Sequence, residues 1–169
     1  RAWMAIAVFL AGLGAGAGLG AAKAAPVRKH INLPGKPALP FSDAVLVGPS
    51  GALRNVFVWI KDGLDPAYGF DVPATAVILD QRGCIYTPRV VGVMVGQPLE
   101  VRNSDPTLHN VHALPTKNLE FNQGQPIQGM KLTHVFTMPE VPVKFMCDVH
   151  NWMAAYVGAA LEQRVTDPV

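Results

Sequence analysis

Three side chains with soft or borderline donor atoms fall close together in Cys147-Asp148-Val149-His150-Asn151-Trp152-Met153. A thiolate, an imidazole and a thioether select copper over the hard cations that prefer carboxylates and carbonyls. For Cys147 and His150 to reach one small ion, the chain must turn sharply after the cysteine. A trigonal plane of two imidazoles and one thiolate then needs a second histidine from elsewhere, with the Met153 sulfur as a weak, long axial ligand. His109 is the best placed, because it follows the turn Asn103-Ser104-Asp105-Pro106 at an expected strand end.

The elements that must position these groups read as strands. In Val141-Pro142-Val143-Lys144-Phe145-Met146-Cys147 a period of two puts Cys147 on the inward face with Val143 and Phe145, so the thiol arrives from the core side. A second apolar run, Ala154 to Leu161, reads as the strand that returns. Further β-rich runs at Ala44-Val47, Leu53-Lys61, Ala76-Asp80, Arg89-Val95, Leu99-Asn103 and His109-Leu114 are separated by Gly, Pro, Asn and Asp clusters. Asp62 to Pro73 reads as a surface loop. The 15 prolines and 16 glycines suit many short strands joined by tight connections, and the fold class expected is an all-β Greek-key sandwich with an N-terminal apolar leader helix.

Cys-x2-His-x2-Met at 147–153, together with His-Asn-Val-His at 109–112, resembles the type 1 (blue) copper cupredoxins of the plastocyanin and amicyanin kind. The likeness runs from about Val95 to Ala160. It implies His109, Cys147, His150 and Met153 as four ligands of one type 1 copper ion. It also implies Asn110 as the neighbour tying the two ligand loops together, through a hydrogen bond that would orient the ligands and tune the metal. Val149 and Asn151 stand where amicyanin-type loops carry prolines on either side of the histidine.

The chain has 169 residues, half of them apolar, which is material for one domain with a sizeable core. Residues 1–25 stand apart: Arg1 precedes an apolar run to about Ala22, and Ala22-Lys23-Ala24 suits signal peptidase. This segment reads as a signal peptide, or, if retained, as a membrane anchor at residues 2–22. Residues 26–43, rich in proline and basic residues, read as a linker or edge segment, and 44–169 as the cupredoxin-like domain. Without residues 1–24, which carry Arg1 and Lys23 and no acid, basic and acidic residues balance at 12 each. That balance gives no reason to expect nucleic acid or an anionic membrane surface as a partner.

The other donor residues have simpler readings. Cys84 is expected to be unpaired rather than the disulfide partner of Cys147, either a buried small hydrophobe or a residue with a second role near the metal. His30 reads as a solvated residue and His134 as a non-ligand strand residue. His112 is expected to point away from His109 across the strand, since neighbours three apart lie on opposite faces. Met94, Met130, Met138 and Met146 are too scattered to form a methionine cluster.

The function expected is that of a periplasmic one-electron carrier and not an enzyme. Its redox protein partner would dock near His150 and Trp152, and it would meet a membrane only if the leader is retained. The alternatives are a copper carrier or storage protein, or a copper-binding subunit of a larger membrane redox complex. The five histidines include no His-x-His pair of the kind a second copper class would need.

Overall fold

A computed structural model describes residues 5–10, 46–47, 53–63, 65, 67 and 69–161. Its strands, in chain order, are β1 (Ala5–Leu10), β2 (Leu46–Val47), β3 (Leu53–Arg54), β4 (Val56–Asp62), β5 (Val77–Gln81), β6 (Tyr86–Thr87), β7 (Val90–Met94), β8 (Pro98–Asn103), β9 (His109–Leu114), β10 (Phe121–Gln125), β11 (Lys131–Val135), β12 (Glu140–Met146) and β13 (Ala154–Ala160). Two sheets make the sandwich. One has the order β10-β9-β12-β13-β7 and the other β11-β8-β5-β6, with the β13–β7 and β5–β8 pairs parallel and the rest antiparallel. The chain crosses between the sheets from β6 to β7, β7 to β8, β8 to β9, β10 to β11 and β11 to β12, while β5–β6, β9–β10 and β12–β13 pair within one sheet, as in the Greek-key sandwich expected.

Periodicity accounts for the sheets. Along β8 buried and half-buried positions alternate, with Leu99, Val101 and Asn103 facing in. Along β12 a register shift between Glu140 and Val143 resets the alternation, after which Val143, Phe145 and the following Cys147 are all fully buried. These residues join Leu79, Val93, Val111, Phe136, Ala155, Val157 and Met153 in one core between the sheets. Strand β7 is buried at every position, as expected for a strand covered on both faces. Its outer cover is a second cluster in which Phe57 of β4 and Val90 pack with Trp59, Val141 and Tyr156.

Of the expected leader helix, only Ala5–Leu10 is described, and it is extended, paired antiparallel with β4. A short apolar run is compatible with either state, and here the backbone groups find their partners across a strand pair. Residues 1–4, 11–45 and 162–169 lie outside the described residues, and with them His30, most of the leader and the linker. Among the described residues no helix is long and apolar enough to cross a membrane.

Candidate metal centre

Three loops meet at one end of the sandwich: 82–85 after β5, 104–108 after β8, and 147–153 between β12 and β13. The last is closed by its own backbone. Cys147 N–H donates to Met153 O at 3.4 Å and Met153 N–H to His150 O at 2.9 Å. Met146 and Ala154 then pair as the last rung of the β12–β13 hairpin.

This closure and the start of β9 bring His109, Cys147 and His150 together. His109 and Cys147 are fully buried, and His150 is half-buried. The two Nδ1 atoms lie 3.0 Å apart, and Cys147 Sγ lies 3.7 Å from His150 Nδ1 and 3.9 Å from His109 Nδ1. Both cysteines are free thiols, so no disulfide competes for the sulfur. Met153 is buried in the core cluster that also contains Cys147.

Asp105 orients His109. Its carboxylate accepts from His109 Nε2 at 2.9 Å and from the backbone N–H groups of Gly83 and Cys84 at 2.8 and 2.9 Å. A carboxylate cannot donate, so the His109 proton sits on Nε2 and the Nδ1 lone pair points at His150. Gly83 and Cys84 both have positive φ, 65° and 54°, which turns successive N–H groups towards one anion. Burial works against the Asp105 charge, but these backbone donors, followed by His109, outweigh it and lower its pKa. Asn103 fixes the same loop, accepting from Asp105 N–H at 2.9 Å and donating to Thr107 O and Gln125 O.

Asn110 links the two ligand-bearing segments. Its N–H approaches Cys147 Sγ at 3.5 Å, its Oδ1 accepts from Asp148 N–H at 2.5 Å, and its Nδ2 reaches Asn122 Oδ1 and Asp148 Oδ2. Tyr86 adds a second tie from β6, its hydroxyl meeting Asn110 O at 3.1 Å and Met146 O at 3.2 Å. Burial, then the Cys147 and Asp148 charges, push the Tyr86 pKa upward, so it remains a neutral hydroxyl.

Cys84 departs from the expectation of a buried hydrophobe. It is half-buried, and its Sγ lies 3.9 Å from His150 Nε2, on the far edge of that ring. Burial raises its pKa, with further contributions from Asp105 and Cys147. Burial also lowers the His150 pKa, aided by His109 and opposed by Asp105. Trp152 covers this corner: its indole N–H donates to Cys84 O at 2.9 Å and its ring stands edge-on to His150, with centroids 5.2 Å apart. This position beside the His150 ring is the second of the two expectations for Cys84, a role near the metal. Asp105 and Tyr86 carry no such signal in the sequence, since each reaches the site through contacts with residues distant in the chain.

Two donor trios are therefore present, sharing the histidines and differing in the thiol. Cys84, His109 and His150 each place one donor atom within 4.8 Å of the others, close enough for one metal ion. Cys147 completes the set on the Nδ1 side of both rings. The two sets use opposite edges of the His150 ring, Cys147 Sγ lying 3.7 Å from Nδ1 and Cys84 Sγ 3.9 Å from Nε2, and one ion cannot bind both nitrogens of that ring. The separations in the Cys147 set fit a single ion. With metal–nitrogen and metal–sulfur bonds of about 2.0 and 2.3 Å, they correspond to angles of about 120–130° at sulfur–metal–nitrogen.

His112 and His134 are not brought to this centre. His112 lies outside it, hydrogen-bonded to Asp148 and Glu120. His134 packs against the rings of Phe121 and Phe136, and burial lowers its pKa.

No family model matches the chain, and no curated protein matches it. Solved structures are similar to it over about half its length. A Cu(I) form of an amicyanin mutant is 21% identical over 50% of this chain and 81% of that one, with a TM-score of 0.44. A purple cupredoxin from Nitrosopumilus maritimus is 22% identical over 53% of this chain and 100% of that one, with a TM-score of 0.42. A copper-containing nitrite reductase from Thermus scotoductus SA-01 is 20% identical over 62% of this chain and 28% of that one, with a TM-score of 0.47.

Proposed function

We propose that the chain binds one type 1 copper ion, which His109 Nδ1, Cys147 Sγ and His150 Nδ1 would hold with Met153 completing the donor set, and passes single electrons between redox proteins. The observation that carries this reading is the convergence of two imidazole Nδ1 atoms 3.0 Å apart with one thiol sulfur beside both. Two imidazoles and a thiolate with a nearby thioether form the donor set of an electron-transfer copper site. Bound copper supplies a one-electron couple between Cu(I) and Cu(II).

The chain's own part is to hold the donors still. Asp105 locks the His109 ring, Asn110 and Tyr86 clamp the two ligand segments, and the closed loop fixes His150 relative to Cys147. Donors that do not move between oxidation states keep the reorganisation cost of electron transfer small. Burial of His109 and Cys147 keeps these two donors away from solvent.

His150 is the half-buried member and the natural exit for the electron. Ile85, Leu108, Val149 and Trp152, one or two from each of the three loops, are exposed around it. An apolar patch of this kind suits brief docking of a redox protein through a small contact. We place the protein outside the cytoplasm on the strength of the leader-like residues 1–25.

The test is an absorption and EPR spectrum of the copper-loaded protein beside its Cys147→Ser variant. Intense visible absorption from thiolate-to-Cu(II) charge transfer, lost in the variant, supports the carrier. A colourless wild type with one copper per chain points instead to a copper storage or delivery protein.

A further inference from the structure

The outer face of the five-stranded sheet carries a second polar cluster that the copper site does not need for ligation. His112 Nδ1 lies 3.0 and 3.1 Å from the two oxygens of Asp148, and its Nε2 lies 3.1 Å from Glu120 Oε1. Asp148 follows the thiol in the chain. Its carboxylate also accepts from Asn122 Nδ2 at 2.7 Å and Asn110 Nδ2 at 3.0 Å, while its N–H donates to the same Asn110 whose own N–H meets Cys147 Sγ. One hydrogen-bonded path thus runs from the imidazole of His112 to the sulfur.

We propose that His112 is a proton-coupled positioning residue for the copper centre: it takes up a proton from water when the centre is reduced and releases it on oxidation. The inference rests on the copper reading above. Reduction brings in one electron from a redox protein and lowers the charge of the centre by one unit. A positive charge nearby then becomes more favourable, and by reciprocity protonation of His112 raises the reduction potential. Asp148 stays ionised throughout, and the only proton exchanged is the one on His112.

The surroundings favour a protonated imidazole. Its two ring nitrogens each face a carboxylate, so only the doubly protonated ring satisfies both. Hydrogen bonds to Asp148 and then Glu120 raise its pKa against a smaller opposing effect of burial. On β10 the paired residue is the neutral Asn122. On β12 it is Met146, with Lys144 next along the same face, paired with Leu114. Three residues of strand separate His112 from His109, about 10 Å at the usual rise, which is within reach of a partly screened charge effect.

The experiment is voltammetry of the copper-loaded protein from pH 5 to 9, for wild type and His112→Gln, with a proton titration of the His112 ring by NMR in the metal-free protein. The wild-type potential should fall as pH rises, with a midpoint above 6.5 and a total change of roughly 20–40 mV. That range corresponds to a two- to fivefold difference in proton affinity at 59 mV per tenfold. His112→Gln should keep its visible band and lose this component, holding the lower potential throughout. In metal-free protein the ring should titrate above 6.5 and fall back in Asp148→Asn. An intact band with a flat wild-type potential, a slope unchanged in His112→Gln, or a ring titrating at or below 6.5 each overturns the inference alone. A wild type without the band removes the copper reading, and this inference with it.

Discussion

His109 and His150 meet Nδ1 to Nδ1 at 3.0 Å although 41 residues separate them in the chain. Because Asp105 holds the His109 proton on Nε2, two ring nitrogens and a sulfur are aimed at one point that a cation can fill. The arrangement divides the labour between loops: β9 supplies a buried, orientationally fixed imidazole, and the β12–β13 hairpin supplies the thiol and the solvent-facing imidazole.

Removing the anchor of His109 should loosen the metal without dismantling the sandwich. Asp105→Ala leaves the His109, Gly83 and Cys84 donors without their acceptor. Copper affinity should drop about 10- to 100-fold, as for other residues that orient a metal-bound histidine. Stability should fall by about 1–3 kcal/mol from the buried donors left unpaired. Competition with a copper chelator and denaturant titration check the two effects separately.

The two thiols should separate cleanly. Cys84→Ser keeps a small side chain at a half-buried position whose sulfur faces His150 Nε2 and not the Nδ1 cluster. Its copper-loaded form should retain the intense visible band, whereas Cys147→Ser should lose it. Loss of the band in Cys84→Ser with its retention in Cys147→Ser would shift the thiolate assignment to position 84.

Acid should weaken the fold through Glu140. Burial pushes its carboxyl pKa up, but the backbone N–H groups of Thr116, Lys117 and Asn118 and the Asn118 side chain outweigh that and lower it to about 2. A depressed folded-state pKa means the stabilisation is present above the unfolded value of 4.5 and is lost as pH falls towards 2. The size is about 3 kcal/mol. Glu140→Gln should be less stable than wild type at pH 7, and the difference should shrink as urea midpoints are compared from pH 5 down to pH 2.

The outer face of β13 should not tolerate a methyl group. A Cβ at Gly158 would sit 2.4 Å from the Phe57 ring, which is itself buried. Gly158→Ala should destabilise the protein by about 1–3 kcal/mol through overpacking, with the copper spectrum unchanged because Phe57 belongs to the outer cluster. Thermal unfolding of both proteins checks it.

What the sequence made legible was local. The alternation through Val143, Phe145 and Cys147, and the apolar run that follows Met153, are period-two signals that survive in the fold. Strand β10, Phe-Asn-Gln-Gly-Gln, was not legible. It is a polar edge strand with Gln125 as its only fully buried residue, so its assignment rests on pairing with β9 and not on its own pattern. The β6 pair is too short to show a period. Asp105 read as a turn residue because the donors that cradle it, Gly83 and Cys84, come from a loop 21 to 22 residues earlier. For Cys84 the sequence left a buried hydrophobe and a role near the metal both open, because nothing near it in the chain indicates the His150 ring 66 residues away. His112 was correctly set apart from the Nδ1 cluster by strand alternation, but its carboxylate partners lie on other segments.

X-ray absorption at the copper edge of the loaded protein measures the donor set itself. The account predicts one short copper–sulfur distance and two copper–nitrogen distances of about 2.0 Å, unchanged in Cys84→Ser. Two short sulfur distances, or a shell of nitrogen and oxygen without sulfur, would contradict it.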